Sequence, residues 1–155
     1  GSVVYHGNPN VYTLYWDRLP ITATLALLLA INLAERIGPA PAMRAVLPLL
    51  ILGAWTVTHW IGTESVGLGD LRFYFAFQLI CLGGIPLLWA LFPPRYSGCC
   101  YFIAALAVYG VAILCEHADR VIHAWVAFGG HAIKHLLVGV ALSLLAVMLA
   151  KRRVL

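Results

Sequence analysis

Along the 155 residues, long apolar runs alternate with short polar stretches. A polar stretch from His6 to Asp17 gives way to an apolar run over about 19–37, closed by Glu35, Arg36 and Gly38-Pro39. Further runs follow at about 45–61, 71–92, 99–115 and 130–150. Between them lie a Pro-rich link with Arg44, the loop Gly62 to Asp70, the break Pro93-Pro94-Arg95 and the polar stretch Glu116 to His123. Lys151-Arg152-Arg153 marks the last exit. Each run approaches the roughly 20 residues that a helix needs to cross a hydrocarbon core. At that depth the backbone must satisfy its own hydrogen bonds, which leaves helices or a closed barrel. Barrel strands alternate apolar and polar residues, and these runs are continuously apolar. The pattern predicts an all-α membrane protein with about five complete transmembrane helices plus the end of a preceding one. No repeat or linker divides it, so residues 1–155 read as a single domain.

Composition agrees: 63% of residues are hydrophobic and 10% are charged, against about 25% charged in soluble domains. The net charge of +4 does not point to nucleic acid, because the basic residues stand singly or at helix ends. They read as topology signals. Arg36, Arg44, Arg95, Lys151, Arg152 and Arg153 share one side, while Arg18, Arg72 and Arg120 lie on the other with most of the acids. Cytoplasmic loops are enriched in Lys and Arg, so the C-terminus is expected in the cytoplasm. Trp16, Trp60, Trp125 and Tyr5 fit an aromatic belt at the opposite interface. Cys81 and the Cys99-Cys100 pair lack zinc-type spacing and read as structural thiols. No cleavable signal peptide is visible, and the chain reads as N-terminally truncated.

His131 and His135 occur in the string GGHAIKHLL, four positions apart, so both imidazoles share one helical face at the start of the last span. The chain crosses the membrane four times between Asp17 and His131, which returns His6 and Asp17 to the side of that pair. Three imidazoles and one open position describe a catalytic zinc site. Such a zinc lowers the pKa of its water and polarises a carbonyl, which suits attack on an amide or ester. Asp17 is the candidate proton acceptor, and Ser2, one turn before His6, the candidate donor to the developing oxyanion. Plainer accounts exist for each: Asp17 as the N-cap of the apolar helix, His6 as an interfacial ring, Ser2 as a small packing residue. His59, His117 and His123 are rival ligands on the same side. Glu116, Asp119 and Arg120 read as a solvated end, and Asn32 and Gln78 as helix-to-helix hydrogen-bonding groups.

This pattern resembles the alkaline ceramidase family, within the wider group of seven-span membrane hydrolases that includes the adiponectin receptors. In that family a Ser and a His stand four positions apart at the end of the second span, an Asp follows eleven positions later, and HxxxH opens the last span. Ser2, His6, Asp17, His131 and His135 match each spacing, and SVVYH, WDRLP and GGHAIKHLL look like strings of bacterial ceramidase-like proteins. The resemblance covers nearly the whole chain and makes it the C-terminal part of a seven-span fold, without the first span and most of the second. It implies Zn2+ on His6, His131 and His135, water activation by Asp17 and oxyanion support by Ser2. The implied substrate is a ceramide-like lipid, cleaved at its amide to a sphingoid base and a fatty acid. Likeness to bacterial sequences suggests an inner membrane, with the site on the non-cytoplasmic side. Two other classes stay open from the residues: a haem-binding membrane electron carrier with axial histidines, and a noncatalytic zinc-containing lipid-binding protein.

Overall fold

The computed structural model describes residues 1–126 and 129–155. Among them the chain is helical, with five helices long and apolar enough to cross a membrane and no strand beyond one isolated bridge. It is an all-α integral membrane protein. Large apolar side chains such as Leu47, Ile51, Leu79 and Leu136 stay on the exposed faces of these helices, as a hydrocarbon solvent permits. Two compact units follow one another, Gly1–Pro93 and Pro94–Leu155.

The first unit holds α1 (Ser2–Gly7), α2 (Val11–Arg36), α3 (Pro39–Glu64) and α4 (Arg72–Leu91). Both α2 and α3 begin earlier than the apolar pattern indicates, for local reasons. Asn10 caps α2 by accepting the Thr13 N–H at 2.9 Å, and the Thr13 hydroxyl accepts the Asn10 N–H at 3.1 Å, so the helix starts within the polar stretch. Pro39 and Pro41 break no bond in α3, because N–H groups of the first turn have no partner within the helix.

α2 packs on α3 and α4, and α3 on α4. Gly53 sets the closest approach: a Cβ there would meet the Thr22 Cβ at 3.0 Å and the Phe77 ring at 3.1 Å. Several polar groups within the spans are satisfied locally. Thr22, Thr24 and Thr56 each donate to a carbonyl one turn earlier, as does Asn32 to Leu28. Asn32 also supplies the expected helix-to-helix bond, accepting the Trp89 indole N–H at 2.8 Å. Next to it, Arg36 lies over the Trp89 ring and donates to the Phe92 carbonyl at 3.1 Å. Replacing Asn32 with Leu is expected to destabilise the protein by about 0.6 kcal/mol, and by no more than about 1.7 kcal/mol, in detergent unfolding; a Trp89→Phe change should bring little further loss in that background.

The second unit holds α5 (Cys99–His117), α6 (Asp119–His123) and α7 (Gly130–Lys151). α5 and α7 pack along a seam with Phe102, Ala105, Ala112, Ala141 and Met148 buried, and α6 touches both. Gly98 takes φ 99° ahead of α5, a left-handed turn that suits glycine. The two ends of the unit are tied by a short ladder: Ser97 N–H donates to the Arg153 carbonyl at 2.8 Å, and Leu155 N–H to the Arg95 carbonyl at 2.9 Å. All four cysteines are free thiols.

Candidate functional site

The start of α7 shows why two glycines precede the histidines. A Cβ on Gly130 would run into the Cys115 carbonyl of α5, and one on Gly129 into the Asp119 carboxylate of α6. Without side chains at these positions, the first turn of α7 closes directly on the end of α5 and on α6. Asp119 then accepts the backbone N–H of His131 at 2.8 Å. It satisfies a donor of the helix start that Gly129, at the N-cap, has no side chain to serve.

His131 and His135 meet edge to face, with ring centroids 4.8 Å apart, and their Nε2 atoms face each other at 3.1 Å. Two imidazoles on one tetrahedral zinc, each about 2.05 Å from it, have nitrogens about 3.3 Å apart. The pair therefore already has nearly the spacing of two ligands to one ion. On the far side of the first ring, Glu116 Oε1 lies 3.4 Å from His131 Nδ1 and 2.5 Å from Lys134 Nζ. A carboxylate at Nδ1 favours a proton there and makes Nε2 the nitrogen that carries the lone pair, the usual outer-sphere arrangement around ligating histidines. Imidazole nitrogens in this arrangement suit a divalent transition metal, zinc among several.

In the first unit, Ser2 opens α1 and His6 stands one turn later, its ring edge-on to Tyr5 at 5.2 Å. Gly1 packs so closely on the Trp16 carbonyl and Asp17 that a side chain would not fit. Pro20 has no N–H to offer the Trp16 carbonyl, so the helix is open at this contact. The Ser2 end of α1 is thereby held against the turn of α2 that carries Asp17. Asp17 lies inside α2 and does not cap it; that role belongs to Asn10. Next to Asp17, the Arg18 guanidinium stacks 3.9 Å from the centroid of the buried Trp60 ring and 5.4 Å from that of Tyr74. Trp60 is thus a core residue with Val57 and Tyr74, and not a member of an exposed belt, whereas Trp16 and Trp125 are exposed.

The rival histidines have other surroundings. His59 sits among Trp55, Phe73 and Asp70. His117 ends α5 with Nδ1 2.9 Å from the Ile113 carbonyl, and His123 ends the short helix α6. The stretch read as a solvated end contains what the sequence reading missed. Glu116 and Asp119 serve His131 through its ring and its backbone, and Lys134 holds Glu116 in place. The Gly129-Gly130 pair was the available signal, since glycine permits close approach of another element.

No family model matches the chain, and neither a curated protein nor a solved structure matches it.

Proposed function

We propose that this chain belongs to a zinc-dependent membrane hydrolase of the alkaline ceramidase type, cleaving the amide bond of a ceramide-like lipid. The observation that carries the reading is the His131–His135 pair, with Nε2 atoms 3.1 Å apart and Glu116 at the back of the first ring. His6 is the proposed third ligand by the resemblance, since three imidazoles with one open position suit a catalytic metal ion. When bound, zinc would supply Lewis-acid polarisation of the amide carbonyl and a water acidic enough to attack near neutral pH.

The chain's own residues would do the rest. Asp17 takes a proton from the attacking water and returns it to the leaving nitrogen. The Ser2 hydroxyl donates to the carbonyl oxygen as negative charge collects there. Water adds to the carbonyl carbon and the C–N bond breaks, which releases a carboxylate and a sphingoid amine. The site is proposed on the non-cytoplasmic side of a bacterial inner membrane with the C-terminus in the cytoplasm, from the excess of basic residues on the other side.

Elemental analysis of the purified full-length protein, together with turnover of a ceramide-like amide, tests the proposal. About one zinc per chain and release of fatty acid are expected. A folded protein without zinc would overturn the mechanism. Zinc without turnover would instead favour a noncatalytic lipid-binding protein. The haem alternative requires a haem absorption band; its difficulty is that His131 and His135 lie on one helix with their nitrogens turned towards each other, which leaves no room between them for a porphyrin.

A further inference from the structure

A second polar site lies in the first unit, at the turn between α3 and α4, and uses none of the residues proposed for hydrolysis. Gly67 and Gly69, at φ 78° and 57°, allow the turn, and the Thr63 hydroxyl accepts the Asp70 N–H at 2.9 Å. Asp70 in turn accepts three bonds from Arg72: backbone N–H at 3.0 Å, Nε at 2.9 Å and Nη2 at 2.8 Å. The guanidinium holds the Asp70 carboxyl well below the usual carboxylate range, so it is an anion at any physiological pH. These bonds use two of the five guanidinium N–H groups, and the Arg72 side chain is 87% exposed. His59 Nε2 is buried without a hydrogen-bond partner, 3.7 Å from Asp70 Oδ2.

These groups line a cavity of about 460 Å³, with Leu68 and Leu71 in its wall. The ring of His59 packs on Phe73 and Trp55, at 4.9 and 5.5 Å between centroids. The same two aromatic residues form one end of a smaller groove, about 100 Å³, continued by Leu52, Ala76, Phe77 and Ile80. At the helical rise, Ile80 lies about 12 Å along α4 from Arg72, and Leu52 about 18 Å along α3 from Glu64. The groove therefore runs from the polar turn towards the middle of a hydrocarbon core about 30 Å thick. A fixed cation beside a fixed anion above an apolar groove matches a zwitterionic lipid, whose phosphate and ammonium are joined to acyl chains.

We propose that the α3–α4 turn is a binding site for an ethanolamine phospholipid. The phosphate pairs with the open N–H groups of Arg72. The ammonium takes the remaining acceptor position of Asp70, and an acyl chain lies along the groove below Trp55 and Phe73. A primary ammonium suits this site better than a quaternary one, because only the former donates hydrogen bonds to the carboxylate.

The test is titration of the full-length protein in detergent with dioleoyl phosphatidylethanolamine, phosphatidylglycerol and phosphatidylcholine, read by native mass spectrometry. The wild type should retain the ethanolamine lipid at least tenfold more tightly than the other two. Arg72→Gln should abolish that preference, with helix content and metal content unchanged as controls for folding. Arg72→Lys, which keeps the charge but not the forked geometry, should retain part of it. Equal binding of all three lipids by the wild type, or an unchanged preference in Arg72→Gln, would overturn the proposal. So would binding of free phosphoethanolamine as tight as that of the lipid, because the groove would then contribute nothing. Because metal content is read separately, failure here leaves the hydrolase reading untouched, and the reverse also holds.

Discussion

Replacing His131 with alanine in the full-length protein is expected to remove bound metal and amide hydrolysis together, both to the limit of detection. His135→Ala should do the same. Each ring provides one of two nitrogens that already stand 3.1 Å apart, and the loss of either leaves too few donors to hold zinc against a chelator. The double variant should be no worse than either single one, since residues that act through one ion are not additive. Folding should survive, because neither ring is in the α5–α7 seam, which is built from Phe102, Ala105, Ala112, Ala141 and Met148. Elemental analysis and turnover measured on the same preparation check this. Metal and activity retained in both single variants would eliminate the proposed site.

The second large effect is expected at Glu116, a residue that would not itself touch metal or substrate. Glu116→Gln should weaken metal affinity by about ten- to a hundredfold, the usual consequence of losing a carboxylate partner of a ligating histidine. Its carboxylate lies 3.4 Å from His131 Nδ1 and is held by Lys134, so the substitution removes the charge that fixes the imidazole tautomer. A purely structural role would lower thermal stability and leave the metal dissociation constant unchanged. Competition with a zinc chelator across wild type, Glu116→Gln and Glu116→Asp distinguishes the two. The shorter acid should recover part of the affinity if charge at Nδ1 is what matters.

The membrane class and the five spans were legible in the sequence, because in a bilayer the backbone must satisfy itself within each segment and apolar length is nearly the whole signal. Helix ends were less legible. The capping box at Asn10 and Thr13 carries α2 into a polar stretch, and Pro39 opens α3 within what looked like a link. Such ends are decided by a few backbone hydrogen bonds that hydropathy does not register. The same cap is why Asp17 lies inside a helix when its position before an apolar run suggested a helix start.

Within the candidate site, the HxxxH spacing by itself determined that His131 and His135 share a face, since helical periodicity does so for any pair four residues apart. Ser2 and His6 are related in the same way on α1. What the tertiary structure alone decided is the surroundings of these groups. Glu116 and Asp119 reach His131 because Gly129 and Gly130 let α7 close on α5 and α6. The stacking of Arg18 on Trp60 depends likewise on the packing of α2 against α3. Periodicity fixes neighbours along one helix, whereas contacts between helices follow from side-chain size and close approach, which no local pattern encodes.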